Sequence, residues 1–260
     1  MTIKAQDVKD ALQYSFASTE QTLSMRGVEV EIWHDQFAEN PYTWGDGMAP
    51  ALWFYESIEE YCDSDLENVI QRMSPAFVSR HWRKIEAILD NVDTDEPKAI
   101  QRDYGGDMGS IRQEYYAECL ADMRSERWGD VCDYFEAIAA LYRLQGIEAD
   151  TFQSNGHCQG DSARGLIVHL PEWKERVGFN GDAAQDMQSD CDTYTAWAWG
   201  DVYGFTVDED ESCGGFYGND VDAFCEHVAV EINWILNERA IAFAATVEAT
   251  RPDMYQGVST

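Results

Sequence analysis

Apolar positions recur along this chain with two different periods, and the change from one to the other organises it. Between residues 5 and 23, Val8, Leu12, Phe16 and Leu23 fall near helical spacing, and Gly27 follows where a helix would stop. This predicts an amphipathic first helix. Residues 28–33, VEVEIW, then alternate Val28, Val30 and Ile32 against Glu29 and Glu31, the period of a half-buried strand. Ala51–Tyr55 is the expected neighbour of that strand. From Ser64 to Leu144 the signals are mainly helical. Ser64 with Glu67 and Ser110 with Gln113 fit capping boxes, and Pro75 after Ser74 suits a first helical turn. The clearest helix is 126–144, with Trp128, Val131, Phe135, Ile138 and Leu141 on one face and Gly146 as its stop.

After Gly146 the period shortens. Strands are expected at 147–153, 163–169, 193–199, 202–207 and 213–217, separated by Gly, Asn and Asp turn residues. Asn219 or Asp220 then starts a long final helix that carries Val221, Phe224, Val228, Ile232 and Ile235 on one side. The predicted fold is α+β: a helical N-terminal half, a mostly antiparallel sheet in the C-terminal half, and a long C-terminal helix packed on that sheet. The change of period divides the chain into a mainly helical acidic region, 1–146, and a region of sheet plus helix, 147–260. These are either two domains or parts of one continuous domain.

Composition puts charge on this frame. A chain of 260 residues with 45% hydrophobic content buries a substantial core, so disorder is the wrong default. Its 49 acids against 18 bases leave a formal charge of -31. That balance disfavours nucleic-acid phosphate or anionic membrane as a partner and favours a basic one. The acidity is not a tail: residues 1–150 carry -17, residues 151–180 none, and residues 181–260 carry -14. The start, MTIKAQDVKDALQ, lacks the apolar stretch of a secretion signal, and no run reaches the roughly 18 apolar residues of a membrane span. Seven widely spaced cysteines, an odd number, read as reduced and mostly buried thiols. Together these predict a cytoplasmic protein.

Three rows of acids are the candidate partner-binding residues: Glu59, Glu60, Asp63, Asp65 and Glu67; Asp90, Asp93, Asp95 and Glu96; and Asp208, Glu209, Asp210 and Glu211 with Asp220 and Asp222. Duplex DNA presents one charge per roughly 1.7 Å of axis, so some thirty acids on a rigid face match about fifteen base pairs. The expected partner is a basic nucleic-acid-binding protein, with no direct binding of nucleic acid. The one basic cluster, Arg80, His81, Arg83 and Lys84 around Trp82, reads as bases paired with neighbouring helix acids while Trp82 packs inward.

Catalytic signatures are sparse. No phosphate-cradling glycine motif is present, and the glycine and closing glutamate of DEDESCGGFYGND, 208–220, miss the positions of a calcium loop. No zinc spacing joins the histidines and cysteines, and no cofactor or metal is expected. The alternative to a partner-binding role is an enzyme or small-ligand binder with a pocket between the sheet and the final helix, using His157, Cys158, Asp161 or His227. A second alternative is a halophilic protein of unrelated role, with which the 5 lysines against 13 arginines agree.

HCQGDSARGLIV, 157–168, and WAWGDVYGFTVDEDESCGGFYGND, 197–220, together resemble a module of uncharacterised phage and plasmid proteins. In that module a SQGD turn precedes one strand, and a hairpin of the form GDVYG…CWGFYG follows. Here Cys158 stands where the pattern carries Ser, and Gly214 where it carries Trp; the match covers about 60 of the 260 residues. The glycines read as tight turns or close strand approaches, and Tyr203, Phe205, Phe216 and Tyr217 as filling of the sheet face. In general character the chain also resembles acidic DNA-mimic anti-defence proteins. That resemblance implies a mobile-element origin and a restriction or CRISPR effector as target.

Overall fold

In a computed structural model of the chain, the described residues are 2–12, 21–44, 47–55, 58–90, 92–126, 131–154, 163–208 and 211–250. They form two compact units, one from Met1–Ala38 with Gly200–Thr260 and one from Glu39–Trp199.

The first unit is a four-stranded antiparallel sheet with helices on its apolar face. β1 (Gln21–Met25) and β2 (Val28–His34) are joined by Arg26 and Gly27, both at positive φ (56° and 77°), the two-residue turn that matches strand twist. β7 (Val202–Val207) and β8 (Glu211–Tyr217) form the second hairpin, and the order is β1-β2-β7-β8. The alternation in β2 is realised: Val28, Val30 and Ile32 are buried while Glu29 and Glu31 are exposed. α8 (Val221–Thr250) starts at Asp220, whose carboxylate accepts the Ala223 N–H, and buries Phe224, Val228 and Ile232. α1 (Ala5–Ala11) packs on α8 through Val8. Asn233 clamps the chain start, accepting from the Ile3 N–H and donating to the Ile3 carbonyl.

The second unit has a sheet of order β4-β3-β6-β5, again antiparallel throughout, from β3 (Ala51–Tyr55), β4 (Ile58–Cys62), β5 (Ala149–Ser154) and β6 (Ala163–Val168). Adjacent strand residues point to opposite faces. Trp53 stacks on Tyr194 of α7 (Ala183–Ala198) while Phe54 meets Phe135 of α5 (Val131–Leu144), so α7 and α5 cover opposite faces. α2 (Pro75–Leu89), α3 (Glu96–Tyr104) and α4 (Met108–Glu126) extend the α5 side, and α6 (Pro171–Val177) follows β6. Ser74 caps α2 by accepting the Phe77 N–H, with Pro75 in the first turn as its spacing predicts.

The α+β class holds, with helix dominating residues 75–144 and a long final helix packed on antiparallel sheet. Several details differ from the sequence reading. Residue 146, where the period changes, lies inside the second unit, because β5 must pair with β6 and β6 with β3, from before the helices. Ala51–Tyr55 is a strand, but its partners are β4 and β6 and not β2. The first helix ends at Ala11, and Leu23 belongs to β1, opposite Val30. Residues 193–198, expected as strand, are the last turns of α7: Met187, Cys191 and Tyr194 are buried at helical spacing, and the aromatic alternation of TYTAWAW imitated a strand. Ser64–Glu67 opens a run of turns, and Asp107, not Ser110, caps α4 by accepting the Ser110 N–H. Among the described residues no helix is long and apolar enough to cross a membrane.

Candidate functional site

Acids outnumber bases in both units, 18 to 5 in the first and 31 to 13 in the second. In the second unit the row at 90–96 occupies the connection from α2 to α3. Asp90 is the C-terminal cap of α2 at φ 43°, and Asp90, Asp93, Asp95 and Glu96 are all exposed. The backbone beneath them is pinned. The Tyr115 hydroxyl accepts the Asp93 N–H at 3.0 Å, and the Asp93 carboxylate accepts the Asp95 N–H at 2.9 Å. Lys98, 2.8 Å from Asp95, holds that carboxyl below its ordinary range.

The row at 59–67 separates by role. Glu59 and Glu60 lie in β4, where the backbone alone is described. Asp63 and Asp65 share a turn in which Asp63 accepts the Asp65 N–H, and Asp65 is exposed. Glu67 is committed to the interior: its side chain is 14% exposed, accepts a hydrogen bond from the Tyr134 hydroxyl at 2.8 Å and pairs with Arg124 at 2.5 Å. Glu67→Ala, which removes both contacts from a largely buried carboxylate, is expected to cost about 2 kcal/mol in thermal or urea unfolding, against under about 0.5 for Asp65→Ala.

In the first unit the predicted grouping of 208–211 with Asp220 and Asp222 is not formed. Asp208 sits where β7 ends and Asp220 beyond the far end of β8, so the length of β8, roughly 23 Å at 3.3 Å per residue, lies between them. Asp208, at φ 50°, accepts the Glu29 N–H and pairs with Arg239 of α8, which ties two strands to the helix. Asp222 pairs with Lys9 of α1. Glu209 and Asp210 lie outside the described residues, and Glu211 is described by its backbone only.

The basic cluster also departs from expectation. Among the described residues Arg80, Arg83 and Lys84 enter no ion pair; Trp82 is half-buried against the core, with the guanidinium groups of Arg83 and Arg112 over its ring. His157, Cys158 and Asp161 fall outside the described residues, and His227 is an exposed residue of the first unit beside the Phe216 ring. Two open cavities are lined by described residues of the second unit. One, of about 470 Å³, is bordered by Gln71, Gln113, Glu114 and Glu118; the other, of about 320 Å³, by Arg143, Glu148, Asp150 and Met187. Neither gathers a nucleophile with a base. No group of three or more His, Cys, Asp or Glu side chains converges for a metal among the described residues.

Sequence reasoning missed a half-buried carboxyl. Asp190 of α7 accepts the Ala49 N–H at 2.9 Å, and burial pushes its carboxyl up to about 7, with Asp186 adding repulsion. One turn earlier, Asp186 stands 3.0 Å from the buried His169, whose imidazole is held toward its neutral form by burial. The available signal was position: residue 190 falls between Met187, Cys191 and Tyr194 on the apolar face of the helix. Comparison with protein-family models, with curated proteins and with solved structures gives no match.

Proposed function

We propose that the protein is a nucleic-acid mimic, an inhibitor from a mobile element. Its carboxylates would take the place of phosphate in the basic groove of a host DNA- or RNA-binding defence protein, a restriction or CRISPR effector. The observation that carries this reading is the anchored row on the α2–α3 connection: four exposed carboxylates in seven residues, on backbone already held by Tyr115 and by an aspartate turn. Carboxylates on a fixed backbone lose little freedom on docking, which is what distinguishes them from an acidic tail. A net charge of -31 equals that of about 50 Å of duplex. Asp65 extends the available set of the second unit; Glu67 and Asp208, held by internal contacts, drop out, as do Asp220, which caps α8, and Asp222, which pairs with Lys9.

The test is competition. The full chain is expected to displace a labelled duplex from a purified restriction or CRISPR complex, with inhibition that weakens steeply as salt rises. Changing Asp90, Asp93 and Asp95 to Asn and Glu96 to Gln should raise the concentration needed at least about tenfold at low salt, four screened charges being worth a few tenths of a kcal/mol each or more. Failure to displace nucleic acid from any such complex at low salt would falsify the proposal.

A further inference from the structure

The sheet of the first unit turns one face to α1 and α8, and among the described residues of that unit no helix packs on the other. On β2 the buried Val28, Val30 and Ile32 point to the helices, so Glu29, Glu31 and Trp33 share the opposite face. Across the ladder Thr22, Ser24, Thr206 and Ser212 share it with them. Trp33 is laid over Gly204 and Gly214, where a Cβ would run into the ring, and its Nε1–H donates to Thr206 Oγ1 at 3.1 Å. The ring is thereby fixed. The Asp35 carboxylate comes within 3.0 Å of the Cβ position at Gly214, which sets it beside the indole. In the second unit the chain itself covers the corresponding ring, Tyr194 stacking on Trp53. Among the described residues no ring or guanidinium stacks on Trp33, which is half-buried.

We infer that this face is a docking surface for a basic protein partner, whose arginine stacks on Trp33 and pairs with the carboxylates beside it. The inference rests on the reading above: it gives that partner a contact in the first unit, where Asp208, Asp220 and Asp222 are held internally. Charge selects the occupant. The four strands contain no lysine or arginine, and the exposed Glu29 and Glu31 enter no ion pair among the described residues. A nucleobase also stacks on an indole, but its phosphates would meet carboxylates here. A cation is drawn by the ring face and by the acids together. Arginine suits the place better than lysine, because its planar, weakly hydrated guanidinium stacks on the ring while its fork engages a carboxylate. The Asp35 N–H donates to the Val202 carbonyl, so the ladder continues past His34. Glu31 and Asp35 thus stand two residues to either side of Trp33, about 6.7 Å along an extended strand, and a bound guanidinium has a carboxylate on each side.

Nuclear magnetic resonance reads the site directly. The nine tryptophans give nine indole N–H signals, and the one lost in Trp33→Phe is that of Trp33. The full chain, in about 0.15 M NaCl, is titrated with two peptides of equal length and charge, one alternating glycine with arginine and one glycine with lysine. The Trp33 signal is expected to shift and saturate with the arginine peptide, which binds about two- to five-fold tighter than the lysine peptide. Trp33→Leu should abolish that preference. Glu31→Gln with Asp35→Asn, which leaves the ring on its glycines, should weaken binding about threefold and keeps the test alive if Trp33→Leu does not fold. Trp199 and Trp234, both more exposed than Trp33, are the internal controls. A Trp33 signal that stays still, moves no more than theirs, or answers both peptides alike overturns the inference. So does a preference that survives Trp33→Leu, or binding untouched by the carboxylate pair. The competition assay is separate: displacement of nucleic acid without these shifts refutes this contact alone, and shifts without displacement refute mimicry alone.

Discussion

Replacing Gly165 by alanine is expected to lower the unfolding free energy by about 3 kcal/mol, the upper range for forcing an atom into a packed core. Gly165 of β6 lies opposite Trp53 of β3, and a Cβ at residue 165 would come within 2.4 Å of the indole ring. The ring has nowhere to go. Trp53 is fully buried and stacks on Tyr194 at 4.0 Å between centroids, so alanine must displace either the strand or α7. Removing the ring is no milder: Trp53→Ala leaves a cavity and is expected to cost about 3–5 kcal/mol. The two sites are coupled, because the clash needs both partners. In a Trp53→Leu background, alanine at 165 should cost under about 1 kcal/mol. Urea unfolding of the four proteins measures this. Additive costs would show that the glycine serves some other purpose.

The first unit uses the same device. Trp33 of β2 lies opposite Gly204 of β7, a Cβ there would meet the ring at 2.3 Å, and the ring reaches on to Gly214 of β8. The indole N–H donates to Thr206 on the same strand as Gly204. In both sheets an indole covers a glycine of the neighbouring central strand, which restores the packing the glycine lacks. This gives a physical reading of the GDVYG…GFYG segment. Gly204 and Gly214 are the bed for Trp33, and a Cβ at Gly218 would come within 1.9 Å of the Asp201 carboxylate, which accepts a hydrogen bond from the Tyr203 hydroxyl. A side chain as large as tryptophan at residue 214 would occupy space that Trp33 already fills.

What was legible in the sequence was whatever depends on neighbours along the chain. Val28, Val30 and Ile32 announced a strand, Ser74–Pro75 a helix start, and Phe224 with Val228 a buried helix face, and each is found. What was not legible depends on distant partners. Nothing local tells that β2 pairs with β7, about 170 positions on, or that Ala51–Tyr55 joins β6 instead of β2. The same limit applies to the acids. Glu67 and Asp208 read as surface charge alongside Asp65 and Asp95, and it is Tyr134, Arg124 and Arg239, far away in sequence, that take them into the structure. TYTAWAW failed for a different reason: its aromatic alternation is local, but Asp182, capping from eleven residues upstream, had already set a helical phase.

Asp190 should make the protein lose stability as pH rises, a sign opposite to that of an ordinary ion-paired aspartate. In the unfolded chain an aspartate titrates near pH 3.9, while burial moves the folded carboxyl to about 7. Between these values the folded state holds the proton more tightly, so the slope of unfolding free energy against pH is negative. The cost is absent below about pH 4, grows through the interval and is complete above about pH 7. The difference between the folded and unfolded carboxyl corresponds to about 4 kcal/mol, and the partial exposure of Asp190 reduces the expected effect to about 2–4. Other carboxyls pull the opposite way: Asp95 and Glu148, each held low by a lysine, lose stability as pH falls. The contribution of Asp190 is therefore read as a difference. Asp190→Asn keeps an oxygen to accept the Ala49 N–H but has no proton to lose. Its stability should match the parent near pH 4 and exceed it by about 2–4 kcal/mol near pH 8, measured by urea unfolding at both. A constant difference across that range would mean that the carboxyl is already ionised at acid pH, with the Ala49 N–H enough to hold the charge.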